Sequence, residues 1–93
     1  MARRKRIRKL VFEASAEVLE FIREAEVAFE DRWVPATYIR HQLDLEFPPY
    51  KRDSERRGHE WCLLGVLARV LEDNHLLESQ EQGNLIFYRS MIY

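Results

Sequence analysis

Residues 74–89 read NHLLESQEQGNLIFYR, and this stretch decides the fold. Two apolar segments flank a polar tip that contains Gly83, directly after an apolar stretch of helical character. Apolar runs joined by a short glycine-containing tip are typical of a β-hairpin. We therefore predict one strand in LLESQ (residues 76–80), a turn at 82–84 and a second strand in LIFYRSMIY (residues 85–93).

The second predicted strand is apolar on both faces, because alternate side chains of a strand point to opposite sides of a sheet. One face carries Leu85, Phe87, Met91 and Tyr93, and the other carries Ile86, Tyr88 and Ile92. Both faces should therefore be covered. The first helix, the KLVF segment at 9–12 and a second subunit are three candidates for this cover.

Upstream, the segment 15–31 has the apolar spacing of a first helix. The stripe consists of Val18, Ile22, Ala25 and Phe29, widened by Leu19 and Phe21. Ser15 is a candidate N-cap residue. We favour a basic N-terminal arm at 1–14 followed by this capped helix. Two alternatives stay open for residues 4–14: a short strand, or one long helix that continues the same spacing through Ile7, Leu10/Val11 and Ala14.

Two more helices are predicted before the hairpin. The second covers about 36–44, after a short extended piece at 33–34, since a residue that precedes proline avoids the α region. A loop with Pro48-Pro49 leads to a third helix at about 59–73. On a helical wheel the third helix has one wide apolar arc, formed by Leu63, Leu64, Val66, Leu67, Val70 and Leu71.

This order of elements resembles the winged-helix family of helix-turn-helix domains. The resemblance is carried by WVPATYIRHQL (residues 33–43) and by LLGVLARVLEDNHLLESQEQGNLIFYR (residues 63–89). It implies an α+β domain over residues 15–93, with three helices and a C-terminal hairpin, the wing. It also implies a third helix that reads DNA. The chain departs from this pattern in three ways: the link before the third helix is long, that helix is poor in basic residues, and the wing tip is acidic.

The charges are strongly segregated along the chain. The 93 residues, enough for one domain, carry a formal net charge of −1. Residues 1–12 hold six basic groups and no acidic one, whereas residues 13–31 hold seven acidic groups and one basic group. A cationic field over the whole surface is therefore excluded, and any contact with a polyanion must be local.

Two basic segments and one helical arginine are the candidate DNA contacts, since lysine and arginine neutralise phosphates. The arm supplies Arg3, Arg4, Lys5, Arg6, Arg8 and Lys9, and the loop before the third helix supplies Lys51, Arg52, Arg56, Arg57 and His59. Arg69 lies on the third helix itself. The alternative is structural: a solvated arm, or one folded against Glu17, Glu20 and Glu24, and a loop self-paired through Asp53 and Glu55.

A candidate subunit interface is apolar and aromatic. It comprises Trp61, at the boundary of the third helix's arc, and the strand residues Leu85, Phe87, Tyr88, Met91 and Tyr93. A domain this small gains contact area on DNA by pairing, so a homodimer is expected.

Several other functions find no support. The single cysteine, Cys62, excludes an intramolecular disulfide and fits a cytoplasmic location. His59 and Cys62 have no further ligand at metal-site spacing, so neither a metal nor another cofactor is expected. No apolar run approaches the roughly 18–20 residues that span a bilayer, so no membrane partner is expected. There is no glycine-rich phosphate loop and no nucleophile motif, so the protein should not be an enzyme.

The leading hypothesis is a DNA-binding protein resembling transcription regulators, with double-stranded DNA as its partner. Its contacts would come from the basic arm and from the loop and start of the third helix. The alternative is a protein–protein interaction module on the same fold, which would use the acidic first helix and the C-terminal hairpin.

Overall fold

The computed structural model describes residues 2–45 and 63–91. The described elements are α1 (Ala2–Ala25), two short 3-10 turns (Glu26–Ala28 and Glu30–Arg32), β1 (Val34–Pro35), α2 (Ala36–Gln42), α3 (Leu63–Asp73), β2 (Leu77–Gln82) and β3 (Leu85–Ser90). Helices and a small antiparallel sheet together confirm the predicted α+β class.

The three strands form one antiparallel sheet in the order β1-β3-β2. The predicted hairpin is confirmed, with β2 and β3 paired from Leu77–Ser90 to Gln82–Leu85, although the second strand ends at Ser90 and does not include Met91 as predicted. Gly83 has a φ of 62°, a conformation that glycine adopts without steric cost at a two-residue turn. β1 pairs on the other side of β3, with Val34 opposite Tyr88. β3 is therefore the central strand.

The core lies between the sheet and the helices. Its buried residues are Val18, Leu19, Ile22, Val34, Ala36, Ile39, Leu64, Leu67, Ala68, Leu71, Leu77 and Tyr88. The apolar stripe predicted for the first helix supplies three of them, and Phe21, Ala25 and Phe29 pack at the edge. Phe21 stacks on Tyr38 of α2 at 6.0 Å between ring centroids, and Phe29 meets the same ring edge-on at 5.1 Å.

The N-terminal segment is helical, so the predicted arm with a separate helix start at Ser15 is wrong. α1 runs without interruption from Ala2 to Ala25. Ser15 is fully buried in mid-helix, and its hydroxyl donates to the carbonyl of Val11 at 2.9 Å. The physical reason is that residues 3–14 lack glycine and proline, and their apolar residues keep the helical spacing. The open alternative of one long helix is the observed one.

The first helix is also shorter at its C-terminal end than the predicted 15–31. After Ala25 the chain passes through the two 3-10 turns, with an extended Phe29 between them. Asp31 and Arg32 then adopt positive φ values of 54° and 66°. These turns lead the chain into β1, which pairs with the hairpin strand β3.

The burial of α3 differs from the predicted apolar arc. Leu64, Leu67 and Leu71 are buried together with Ala68, but Leu63 is 36% exposed and Val66 is 50% exposed. One side of this short helix contacts the rest of the small core, so a wide arc cannot be covered completely. The helix ends at Asp73, as predicted. There His75 takes a φ of 60° and the N–H of Leu76 donates to the carbonyl of Leu71 at 2.9 Å.

Candidate nucleic-acid interface

The basic half of α1, which we define as residues 2–12, is the most cationic element described. All six predicted arm cations, Arg3, Arg4, Lys5, Arg6, Arg8 and Lys9, are exposed on this helix. Within residues 2–45 and 63–91, none of the six forms an ion pair or a side-chain hydrogen bond. Their positive charge is therefore available to an external anion.

Helical geometry divides these cations between two opposite sides of α1. Each residue advances by about 100° around the helix axis. Arg3 and Arg6 share one side with Ile7 and Leu10; we call this the groove side. The opposite side, which we call the outer side, carries Arg4, Lys5, Arg8 and Lys9; farther along the helix this side enters the core at Leu19 and Ile22.

The groove side is named for a depression farther along the same helix. This α1 groove lies between α1, the chain after α2 and the start of α3, and has a volume of about 500 Å³. Its lining is mostly apolar and consists of Ala14, Val18, Phe21, Leu43, Leu45, Leu63 and Leu67, with the acidic Glu17, Glu20 and Glu24. Sequence reasoning noted the three glutamates but missed the groove, because the leucines come from two distant segments.

The solvent side of α3 is a poor partner for phosphate. Arg69 is exposed there, as a DNA contact would require, but its exposed neighbours include Val66 and Asp73. Glu72 is half-buried beside it and adds a second negative charge. The other predicted contacts near this helix, Lys51, Arg52, Arg56, Arg57 and His59, lie outside the described residues.

Burial raises the pKa of the Glu72 carboxyl above its ordinary value of 4.5, with Arg69 opposing the shift and Asp73 adding to it. A raised carboxyl pKa means that the folded protein binds this proton more tightly than the unfolded chain does. Binding of this proton stabilises the folded protein at pH values below the ordinary pKa, and this stabilisation is lost as the pH rises through the pKa of the folded state. The Glu72 carboxyl therefore makes the fold less stable as the pH rises through this range.

We expect Glu72→Gln to raise the free energy of unfolding at pH 7 by about a few tenths of a kcal/mol, because the neutral amide has no charge that burial disfavours. The gain is small because solvent screens this partly exposed group. The gain should vanish well below pH 4.5, where the Glu72 carboxyl is protonated in both the folded and the unfolded protein. Urea denaturation at the two pH values measures it, and Glu81→Gln on the exposed hairpin tip is the control. An equal gain at both pH values would exclude the electrostatic cause.

The hairpin holds its arginine in internal contacts. Arg89 Nε donates to Glu78 Oε2 at 2.7 Å across the β2–β3 pair. Its Nη1 donates to the carbonyl of Asp31 at 3.0 Å, and its guanidinium lies 4.1 Å from the centre of the Trp33 ring. Glu81 remains exposed at the tip. Apart from the exposed Leu85, the hairpin therefore presents acidic and polar groups to solvent.

The predicted interface residues in the described part of the chain differ in exposure. Leu85 is 52% exposed, Phe87 and Met91 are partly buried, and Tyr88 is only 5% exposed. Tyr88 is a core residue, so its assignment to a subunit interface is wrong. The reason is that β3 has strands on both sides, and the face with Tyr88 packs on the helices. Trp61 and Tyr93 lie outside the described residues.

A buried carboxylate was not anticipated from the sequence. Glu26 is 7% exposed; one carboxylate oxygen accepts the N–H of Ser90, and the other accepts Arg32 Nη1 at 3.3 Å. Arg32 Nη1 also reaches the carbonyl of Ser90 at 3.3 Å. This cluster ties the turn after α1 to the end of β3, so its role is structural.

Two further features are absent from residues 2–45 and 63–91. No group of three or more histidine, cysteine or acidic side chains there could hold a metal ion. No helix in those ranges is long and apolar enough to cross a membrane. In comparisons with known proteins, no family model, curated protein or solved structure matches the chain. Function is therefore inferred from the chemistry of the described residues.

Proposed function

We propose that this protein is a non-enzymatic winged-helix module that binds double-stranded DNA, with the basic half of α1 as its main phosphate-contacting element. The observation that carries the proposal is the set of six exposed cations, unpaired within the described residues, on one continuous helix. Fixing cations on a helix reduces the entropy lost when they are ordered against a phosphate backbone.

The arrangement of elements supports the winged-helix part of this proposal. A short strand and a helix follow α1, and α3 leads directly into the hairpin. β1 then pairs with the hairpin strand β3. These are the segments on which the sequence resemblance rests. Because a fold alone does not establish a function, DNA binding is inferred from the cations and not from the topology.

The charge distribution favours α1 as the surface that contacts DNA, and disfavours α3 and the wing. Arg69 stands beside acidic groups, and Arg89 is engaged with Glu78. The outer side of α1, in contrast, has four cations and no acidic residue over two turns. We infer that this side runs along the phosphate backbone, which supplies affinity without sequence specificity.

The test is a fluorescence anisotropy titration of labelled duplex DNA at several salt concentrations. Each phosphate contact contributes about 0.9 to the slope of log affinity against log salt. We expect Lys5→Gln/Lys9→Gln to reduce that slope by nearly two and to weaken binding to all duplex sequences alike. Arg23→Gln removes an exposed cation from the acidic half of the same helix, and as a control it should leave the slope unchanged.

Two results would contradict the proposal. One is the absence of binding to any duplex at low salt by the intact protein. The other is an unchanged salt slope in Lys5→Gln/Lys9→Gln, which would place the phosphate contacts elsewhere on the chain. Circular dichroism of each variant checks that α1 remains helical.

A second candidate function is protein–protein interaction, and the α1 groove is the observation that favours it. An apolar depression with three glutamates suits a basic, partly apolar helix better than it suits DNA. In this case the protein would form a stable protein complex and show no affinity for duplex DNA at low salt.

A further inference from the structure

The apolar stripe of α1 continues beyond the part that the core covers. Toward the C-terminal end of the helix, Val18 is buried and Phe21 is partly buried against Tyr38. Toward the N-terminus, Ile7 and Leu10 belong to the same side of the helix but are 56% and 57% exposed. Two large aliphatic residues one turn apart on a helix are typical anchors for a facing groove.

The charge on this groove side reverses along the helix. Arg3 and Arg6 lie beside the exposed Ile7 and Leu10. Farther along, the same side carries Glu17, Glu20 and Glu24 at the α1 groove. One end of this surface is thus cationic with exposed apolar residues, and the other end is an apolar groove with anionic residues.

The two ends also match in length. At a rise of 1.5 Å per residue, residues 3–13 and residues 14–24 of α1 each extend over about 15 Å. A helix that presents the first surface therefore has the length needed to cover the second. The small Ala14 lies at the junction and permits close approach of two helix axes there.

We propose that a second copy of this chain occupies the α1 groove, and that the two α1 helices pair antiparallel about a two-fold axis near Ala14. Each copy then places its basic half in the groove of the other, so the contact is isologous. In this register Ile7 lies opposite Phe21, and Leu10 opposite Val18, of the second copy. Arg3 and Arg6 face Glu24 and Glu20.

The energetic roles of these contacts differ. Exposed ion pairs contribute about 0.2–1 kcal/mol each, so the apolar residues provide most of the affinity. The charges select the orientation, because a parallel arrangement would place Arg3 and Arg6 of one copy against the same arginines of the other, and like charges repel. The outer side, with Lys5 and Lys9, points away from this contact and stays free. The dimer therefore does not depend on the proposed DNA binding.

The experiment measures the native mass by sedimentation equilibrium for the full chain and two charge-reversal variants. We expect a dimer for the wild type, and an increase of about tenfold or more in the dimer dissociation constant for both Arg3→Glu/Arg6→Glu and Glu20→Arg/Glu24→Arg. Mixing the two variants should restore a dimer, because opposite charges then face each other at both ends. Lys5→Glu/Lys9→Glu makes the same charge change on the outer side and should remain dimeric.

Orientation is tested by cysteine cross-linking in a Cys62→Ser background. An equimolar mixture of Leu10→Cys and Glu17→Cys chains should form the mixed disulfide, since positions 10 and 17 of the two copies are close in the antiparallel register. Two homotypic disulfides would overturn that register. A monomeric wild type, or a mixture of charge variants that stays monomeric with helical circular dichroism, would overturn the dimer. If the Lys5→Glu/Lys9→Glu protein stays dimeric but loses its DNA affinity, the proposed dimer stands, because these residues lie outside the dimer contact.

Discussion

Replacing Ile22 by alanine is expected to lower the free energy of unfolding by about 3–4 kcal/mol. Ile22 is fully buried, on the side of α1 that enters the core. The substitution removes apolar contacts and leaves a cavity that a packed interior fills only partly. Domains of this size are stable by about 5–15 kcal/mol, so a loss of this magnitude removes a large fraction of the total.

Urea denaturation followed by circular dichroism measures this loss. Val27→Ala is the matched control, because Val27 is 91% exposed and its truncation should change the stability by less than about 0.5 kcal/mol. Similar losses for the two variants would contradict the described packing of α1. The comparison is informative because both residues are aliphatic and β-branched and lie five positions apart.

Replacing Glu26 by alanine is expected to lower the free energy of unfolding by about 2–3 kcal/mol. The buried N–H of Ser90 would lose its acceptor, and a buried donor without a partner retains its desolvation cost. Arg32 would lose its ion pair at 3.3 Å, but it is partly exposed and would regain contact with water. Most of the effect therefore comes from the backbone donor of β3.

Thermal denaturation at pH 7 measures this effect, with Glu30→Ala as the control. Glu30 is acidic, exposed and four residues away, so its truncation should be nearly neutral. Glu26→Gln should lose less than Glu26→Ala, because an amide oxygen can still accept the Ser90 N–H. A Glu26→Ala protein as stable as Glu30→Ala would show that the carboxylate does not hold the end of β3.

The elements predicted best from the sequence are those whose conformation depends on a few neighbouring residues. The hairpin follows from apolar runs and a glycine at the turn, and Gly83 takes the positive φ that such a turn needs. The end of α3 and the short extended piece before Pro35 likewise depend on a few neighbouring residues. These features give the α+β class without knowledge of distant contacts.

The start of the first helix could not be predicted from neighbouring residues alone. The hydroxyl of Ser15 can cap a helix or donate back to a carbonyl one turn earlier, and the sequence is compatible with both. Its burial in the core and the bond to Val11 select the second. The same helix places six cations at fixed angles, whereas a flexible arm would have left their arrangement undefined.

The sequence by itself determined the α+β class, the hairpin and the segregation of positive from negative charge, since these depend on composition and on spacing along the chain. Only the tertiary structure decided which charges share a side of α1 and that Glu26 holds the end of β3. It also decided that leucines from either side of residues 46–62 meet beside Glu17, Glu20 and Glu24. The physical reason is that a groove or a buried polar contact joins residues that are distant in the chain, and their approach depends on the packing of the whole core.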